Sequence, residues 1–235
     1  MPKFGFFTGS LLVGVIASTA FAAPRDNFKL SVWKLQLPVG SASRVNEVRG
    51  SQLAAGYTDP YFYFAPDGAM VFWAPVNGVT TENSHYPRSE LRQTEPEDWP
   101  LSSTHLMTAT CRVTQLPASG GVIIGQIHGS KLGGQVCKLY WKNGSVEYHY
   151  KDDADNEYAI KLGTYRLGEA VHYEIGCTHQ TIIVIVNGHS GSHSYAAAKW
   201  QRDRYYFKAG AYCQDNQGTS KDGARVEFIA LATSP

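Results

Sequence analysis

Apolar residues in this chain alternate with polar ones far more often than they recur every three or four positions. Beyond an N-terminal apolar run, short stretches rich in Val, Ile, Tyr, Phe and Trp follow one another, separated by Gly, Pro, Asn and Asp. Alternation puts successive side chains on opposite faces, which marks half-buried strands; helical periodicity is nearly absent. "YFYFAPDGAMVFWAPV" predicts two strands around an Asp67-Gly68 turn. "VCKLYWKNGSVEYHY" predicts a hairpin closed by Asn143-Gly144, a pair that accepts the left-handed backbone of tight hairpins. "HYEIGCTHQTIIVIVNGHS" carries a second such pair, Asn187-Gly188, and "RVEFIALAT" supplies a last strand. No linker, low-complexity tract or repeat interrupts the series. The prediction is all-β: a single antiparallel β-sandwich or β-jelly roll, with a concave groove suited to an extended polymer.

Three strands depart from the pattern of a plain core strand. In "RSELR", Arg88, Glu90 and Arg92 fall on alternate positions and therefore on one face. In "GVIIGQIHGS", Gln126 and His128 flank Ile127 and point together, away from it. In "YYFKAGAYCQ", Tyr206, Lys208, Gly210, Tyr212 and Gln214 share a face, while Phe207, Ala209, Ala211 and Cys213 make an apolar one. A slip of one residue would bury Lys208 and expose Phe207, so this parity is well specified. Taken singly, each stretch reads equally as a solvated strand face or a hydrogen-bonded pair. Together, two Arg, a Lys, a Gln, a His and two Tyr make a set able to recognise charge and move protons.

The ends and the composition narrow the setting. Lys3, the apolar "FGFFTGSLLVGVIA" and Ala20-Phe21-Ala22 read as a secretory signal peptide over residues 1–22, leaving 23–235 as one catalytic domain. Gly5, Gly9 and Gly14 interrupt the run and argue against a retained membrane anchor. The expected location is therefore extracellular, with no membrane association after cleavage. Export makes disulfides among Cys111, Cys137, Cys177 and Cys213 an expectation, in any of three pairings; buried free thiols are the alternative, since all four sit in strand-like runs. Asn143-Gly144-Ser145 is a glycosylation sequon, usable in a eukaryotic host. Lys3 is the only charge in the signal, so the mature chain carries 20 residues of each sign. A neutral chain has no global field for nucleic acid or acidic membranes, and anion recognition must be local.

Other chemistry is poorly represented. "KDDADNE" lacks the glycine and distal glutamate of a calcium loop and reads as a solvated hairpin tip. His189 and His193 would suit zinc only on a helix, whereas the surrounding glycines and serines predict a loop. There is no nucleophile elbow, phosphate loop or pair of cysteines separated by two residues, and no strand with carboxylates spaced for glycoside hydrolysis. No metal and no cofactor is expected.

"RSELR", "QIH" and "YFKAGAYCQ" resemble the three signature segments of the alginate lyases of polysaccharide lyase family 7. "SVWKLQLPV" and "MVFWAPVNGVTTENSHYPRSELR" extend the likeness over essentially the whole mature chain. Cys213 departs from it, standing where the family often has Asn. The resemblance implies a jelly roll with a cleft, a monomer, and β-elimination on an anionic polysaccharide, alginate. It implies that Arg88 and Gln126 neutralise the substrate carboxylate while His128 and Tyr212 act as base and acid. Arg92 and Lys208 would hold flanking uronates, Glu90 would orient an arginine, and Tyr206 and Gln214 would line subsites. Position in the motif favours Tyr212 over Tyr206 as the catalytic tyrosine; parity does not separate them. Ile127 in "QIH" leans toward guluronate-containing blocks. A non-catalytic binding sandwich and a glucuronan lyase are the competing readings.

Overall fold

The computed structural model describes residues 28–41 and 44–235; the signal-peptide expectation lies outside the described residues. Fifteen strands account for more than half of the described residues. β1 (Trp33–Ser41), β2 (Arg44–Val48), β3 (Phe62–Phe64), β4 (Met70–Pro75) and β5 (Arg88–Gln93) come first. β6 (His105–Gln115), β7 (Gly121–Gly129), β8 (Gln135–Lys142), β9 (Ser145–Lys151) and β10 (Glu157–Thr164) follow. β11 (Val171–Thr178), β12 (Thr181–Val186), β13 (His189–Ser194), β14 (Tyr205–Cys213) and β15 (Gly223–Ser234) complete the set. Among the described residues, helix is confined to short pieces at Leu30–Val32, Gly50–Ala54 and Ala198–Arg202. Among the described residues no helix is long and apolar enough to cross a membrane.

The strands form two antiparallel sheets. One has eight strands in the order β10-β9-β8-β7-β14-β5-β1-β2, the other seven in the order β13-β12-β11-β6-β15-β4-β3. Their inner faces share one continuous apolar cluster. On β14, Phe207, Ala209, Ala211 and Cys213 are fully buried, facing residues such as Cys111, Tyr173 and Phe228 of the other sheet. The Tyr173 hydroxyl donates across the core to the Ile124 carbonyl at 2.9 Å, linking the sheets. Burying one large apolar side chain is worth roughly 1.5–3 kcal/mol, so a slipped β14 would lose several such contributions. Parity is fixed by that loss.

The predicted turns form as expected. Asn143 and Gly144 have φ of 49° and 87°, and Asn187 and Gly188 have 46° and 87°. Two-residue turns of this hand match the twist of the strands they join. The second one corrects the loop expected around His189 and His193. It folds residues 189–194 back onto β12 as an edge strand, pairing Ile182 with His193. The disulfide expectation is also corrected: Cys111, Cys137, Cys177 and Cys213 are buried free thiols. Burial in apolar strands pushes the Cys111 and Cys177 thiols up to about 12, which keeps them protonated and unreactive.

Candidate active site

β7, β14, β5 and β1 lie side by side in the middle of the eight-stranded sheet, and their outward residues fall into rows. Gln126, Lys208, Arg92 and Lys34 are successive cross-strand partners. In neighbouring rows Gly210 faces Glu90, Tyr212 faces Arg88, and Tyr206 faces His128. Three separate stretches of sequence thereby become one surface, because alternation turns each set outward where the strands adjoin. Above them is a cavity of about 330 Å³, lined by Arg88, Arg92, Gln126, His128, Tyr206, Lys208 and Tyr212.

Glu90 lies beneath this surface with none of its side chain exposed. It accepts from Lys208 Nζ at 2.6 Å, Gln126 Nε2 at 2.6 Å and Arg88 Nη1 at 3.1 Å. Burial works to raise its carboxyl pKa, but the charges of Lys208 and Arg88 and these hydrogen bonds hold it below the ordinary value. Burial, with Arg88 nearby, lowers Lys208 to about 8. The pair remains charged at neutral pH. Gly210, opposite Glu90, allows the close approach of β14: its φ is +150°, and a Cβ there would stand 2.6 Å from the Ser89 carbonyl oxygen.

The catalytic candidates differ in how they are held. The His128 Nδ1 lies 2.9 Å from the Gly129 carbonyl oxygen. A carbonyl only accepts, so Nδ1 carries the proton and Nε2 keeps the lone pair. The Tyr206 hydroxyl also lies 3.0 Å from Nδ1, with the two rings stacked. Burial, then the Lys208 charge, lowers His128 to about 4, leaving a neutral imidazole at working pH. Tyr212 packs its ring against Arg88, whose Cζ is 3.8 Å from the ring centroid. Its hydroxyl is 2.9 Å from Ser84 Oγ, which donates to the Tyr86 carbonyl and accepts from Arg88 Nη2. With Ser84 thus committed, the Tyr212 hydroxyl donates to it. Arg92 lies over the Tyr206 ring at 3.9 Å and pairs with Asp98.

Seven of the nine residues expected in the site line the cavity. Glu90 supports its floor, consistent with orienting Arg88. Gln214 follows the end of β14, with its amide turned back to the Tyr212 and Cys213 carbonyls, and it does not line the cavity. Lys34 and Gln36 were missed, although "VWKLQLP" alternates as clearly as the other three strands; Gln36 accepts from Lys208 Nζ at 3.2 Å. Ser84, Thr81, Glu82 and Asn83 come from the loop before β5, where no periodicity exists to reveal them. Among the described residues no cluster of His, Cys, Asp and Glu could hold a metal ion.

A surface of this kind can bind a carboxylate with guanidinium and ammonium groups, withdraw a proton with a neutral imidazole and return one from a phenol. The Alginate_lyase2 family, described as "Alginate lyase", matches residues 28–235. An alginate lyase of Klebsiella pneumoniae is 32% identical over 209 aligned positions, spanning 70% of this chain and 67% of that protein. The solved structure of alginate lyase A1-II′, a member of polysaccharide lyase family 7, superposes with a TM-score of 0.83 at 38% identity, covering 91% of this chain and 98% of that one. Alginate lyase PA1167 of Pseudomonas aeruginosa superposes at 0.80 with 32% identity, covering 87% and 98%. A1-II′ has also been solved with a tyrosine changed to phenylalanine, in complex with product (GGG). With a histidine also changed to asparagine, it was solved in complex with substrate (GGMG).

Proposed function

The chain belongs to the alginate lyases of polysaccharide lyase family 7, and from that premise we propose how its cleft cleaves alginate. The enzyme is a polysaccharide lyase. β-Elimination removes the proton on C5, whose electrons form a C4=C5 double bond as the C4–O bond breaks and the departing oxygen takes up a proton. The difficulty is charge, since the intermediate loads a second negative charge beside an existing carboxylate. Groups placed in advance around that carboxylate lower the barrier most effectively.

Arg88 and Gln126 take that role. Two of the five N–H groups of Arg88 are used by Glu90 and Ser84 and Nε is buried, leaving one on each terminal nitrogen for substrate. Gln126 is aimed by its bond to Glu90 and supplies a neutral donor. Lys208 and Arg92 add positive charge for flanking uronates, and Tyr206 lines a subsite. His128 Nε2 is the base for guluronate, where the C5 proton and the leaving oxygen are on opposite faces. For mannuronate, Tyr212 serves on one face as both base and acid. Each tyrosine ring carries a guanidinium, and it is the hydroxyl partners that favour Tyr212: the Tyr206 hydroxyl is engaged with His128, whereas the Tyr212 hydroxyl meets Ser84. The A1-II′ complexes support a histidine and a tyrosine in these roles. Export, read from residues 1–22, fits action on an extracellular polymer.

One observation carries this reading: a neutral histidine and a tyrosine hydroxyl border the same cavity as a guanidinium locked by Glu90. Ultraviolet absorbance from the C4=C5 bond, followed on polymannuronate, polyguluronate and glucuronan, tests it. Alginate blocks should generate the chromophore, and glucuronan far less. Tyr212→Phe should lower turnover by roughly 10²–10⁴-fold, and His128→Ala should do so on guluronate blocks. Full activity in either variant removes that residue from the chemistry.

A further inference from the structure

A cavity of about 540 Å³ lies where β4 and β15 of the seven-stranded sheet approach Pro38 and Val39 of β1, lined among others by Tyr61, Trp73, Asn77, Ser220 and Arg225. Trp73 on β4 falls between the core residues Phe72 and Ala74, so its side chain turns outward. Its cross-strand partner on β15 is Arg225, which falls between the core residues Ala224 and Val226. The Arg225 guanidinium carbon is 4.9 Å from the Trp73 ring centroid. Arg225 Nε is buried without a hydrogen-bond partner among the described residues. The carboxylate two positions along on the same face, Glu227, is occupied by Arg112 and Thr114. Asp222, in the adjoining loop, is occupied by Thr219. The guanidinium therefore lies over an aromatic ring and lines the cavity with no carboxylate beside it; its Nε is covered, and its terminal nitrogens are the donors that face the space. Such a group is completed by a planar anion that accepts two parallel hydrogen bonds from those two nitrogens.

We propose that this cavity is a second binding site for a uronate oligosaccharide, with the sugar carboxylate on Arg225. Asn77 and Ser220 supply polar groups for the sugar hydroxyls, and Trp73 and Tyr61 supply apolar surface for the ring. The identity of the ligand rests on the alginate reading; the existence of the site does not. Sharing no lining residue with the catalytic cleft, it holds a second stretch of polymer or a second chain. Tethering of that kind raises the local concentration of substrate without adding a contact in the cleft.

The test uses the full chain carrying Tyr212→Phe, in which cutting is slowed enough for oligosaccharides to be titrated intact. Calorimetric titration with a hexameric oligouronate should resolve two binding events. Arg225→Ala added to that protein should abolish one. Arg225→Lys, which keeps the charge and loses the fork, should weaken that event about ten-fold or more. A hexamer of neutral β-1,4-linked glucose should not bind there. In otherwise unaltered enzyme, Arg225→Ala should raise KM for long alginate and leave kcat and the kinetics on tetramer unchanged. A single event with the Tyr212→Phe protein overturns the proposal, as do two events persisting in both Arg225 variants or equal binding of the neutral hexamer. Absorbance on alginate is measured in parallel on the unaltered enzyme. Its absence would strike the alginate reading, whereas the count of events strikes only the second site.

Discussion

Two networks of charged side chains stand on outward strand faces of this protein, and they behave differently. Under the cleft, Glu90 gathers Arg88, Lys208 and Gln126 with no exposure at all. On the other sheet, Arg112 joins Asp67 and Glu227, but 52% of the Asp67 side chain and 27% of Arg112 remain open to water. Both join opposite charges across neighbouring segments, one around a carboxylate and the other around a guanidinium, and they differ sharply in solvent access. Where water reaches the charges, the pairing is screened and worth little. Where it does not, each charge depends on its neighbours, and removing one leaves the others stranded. Burial turns an ordinary ladder of charges into a rigid platform.

That contrast predicts effects of unequal size. Glu90→Ala should be the most damaging, since it strands Lys208 and Arg88; a loss of about 3–5 kcal/mol in denaturant unfolding is expected, together with loss of activity. Adding Lys208→Met should recover part of the stability but not the turnover, and no recovery would break the account of a coupled pair. Ser84→Ala should lower kcat about ten-fold with unfolding unchanged, because it frees both the Tyr212 hydroxyl and one Arg88 nitrogen. Unaltered kcat would show that the loop does not set the tyrosine.

The pH dependence sharpens the same point. His128 is lowered to about 4 in the folded state, so the acid limb of kcat/KM should lie well below the ordinary histidine range. A lowered folded value means stability fully present above the ordinary histidine value of 6.5 and lost as pH falls toward about 4. His128→Asn should remove that slope. The alkaline limb should begin near 8, where Lys208 gives up its proton and Glu90 loses one of its cations. At the small end, Arg112→Gln should cost about 1 kcal/mol or less, and less again in high salt. A cost as large as that of Glu90→Ala would erase the distinction between the two networks.

Much of this was legible in the sequence because strand alternation and Asn-Gly turns are local rules. The two faces of β14 could be told apart from "YYFKAGAYCQ" alone, since Phe207 and Lys208 cannot exchange places. Lys34 and Gln36 obeyed the same rule and were passed over only because two polar residues among Leu and Trp look unremarkable singly. Ser84 could not have been found that way; its place depends on how the loop before β5 folds over β14. Gln214 shared the parity of Tyr212 but not its destination, because the strand ends between them. The cysteines show a different limit. Compartment suggested cross-links, whereas pairing requires the two thiols to meet, and strand order decides that.

The four buried thiols carry a practical consequence. A sandwich held by packing alone needs no oxidant, isomerase or ordered pairing step to reach its native form. Reductant should leave its melting temperature where it was, and alkylating reagents should find their targets only once the two sheets part.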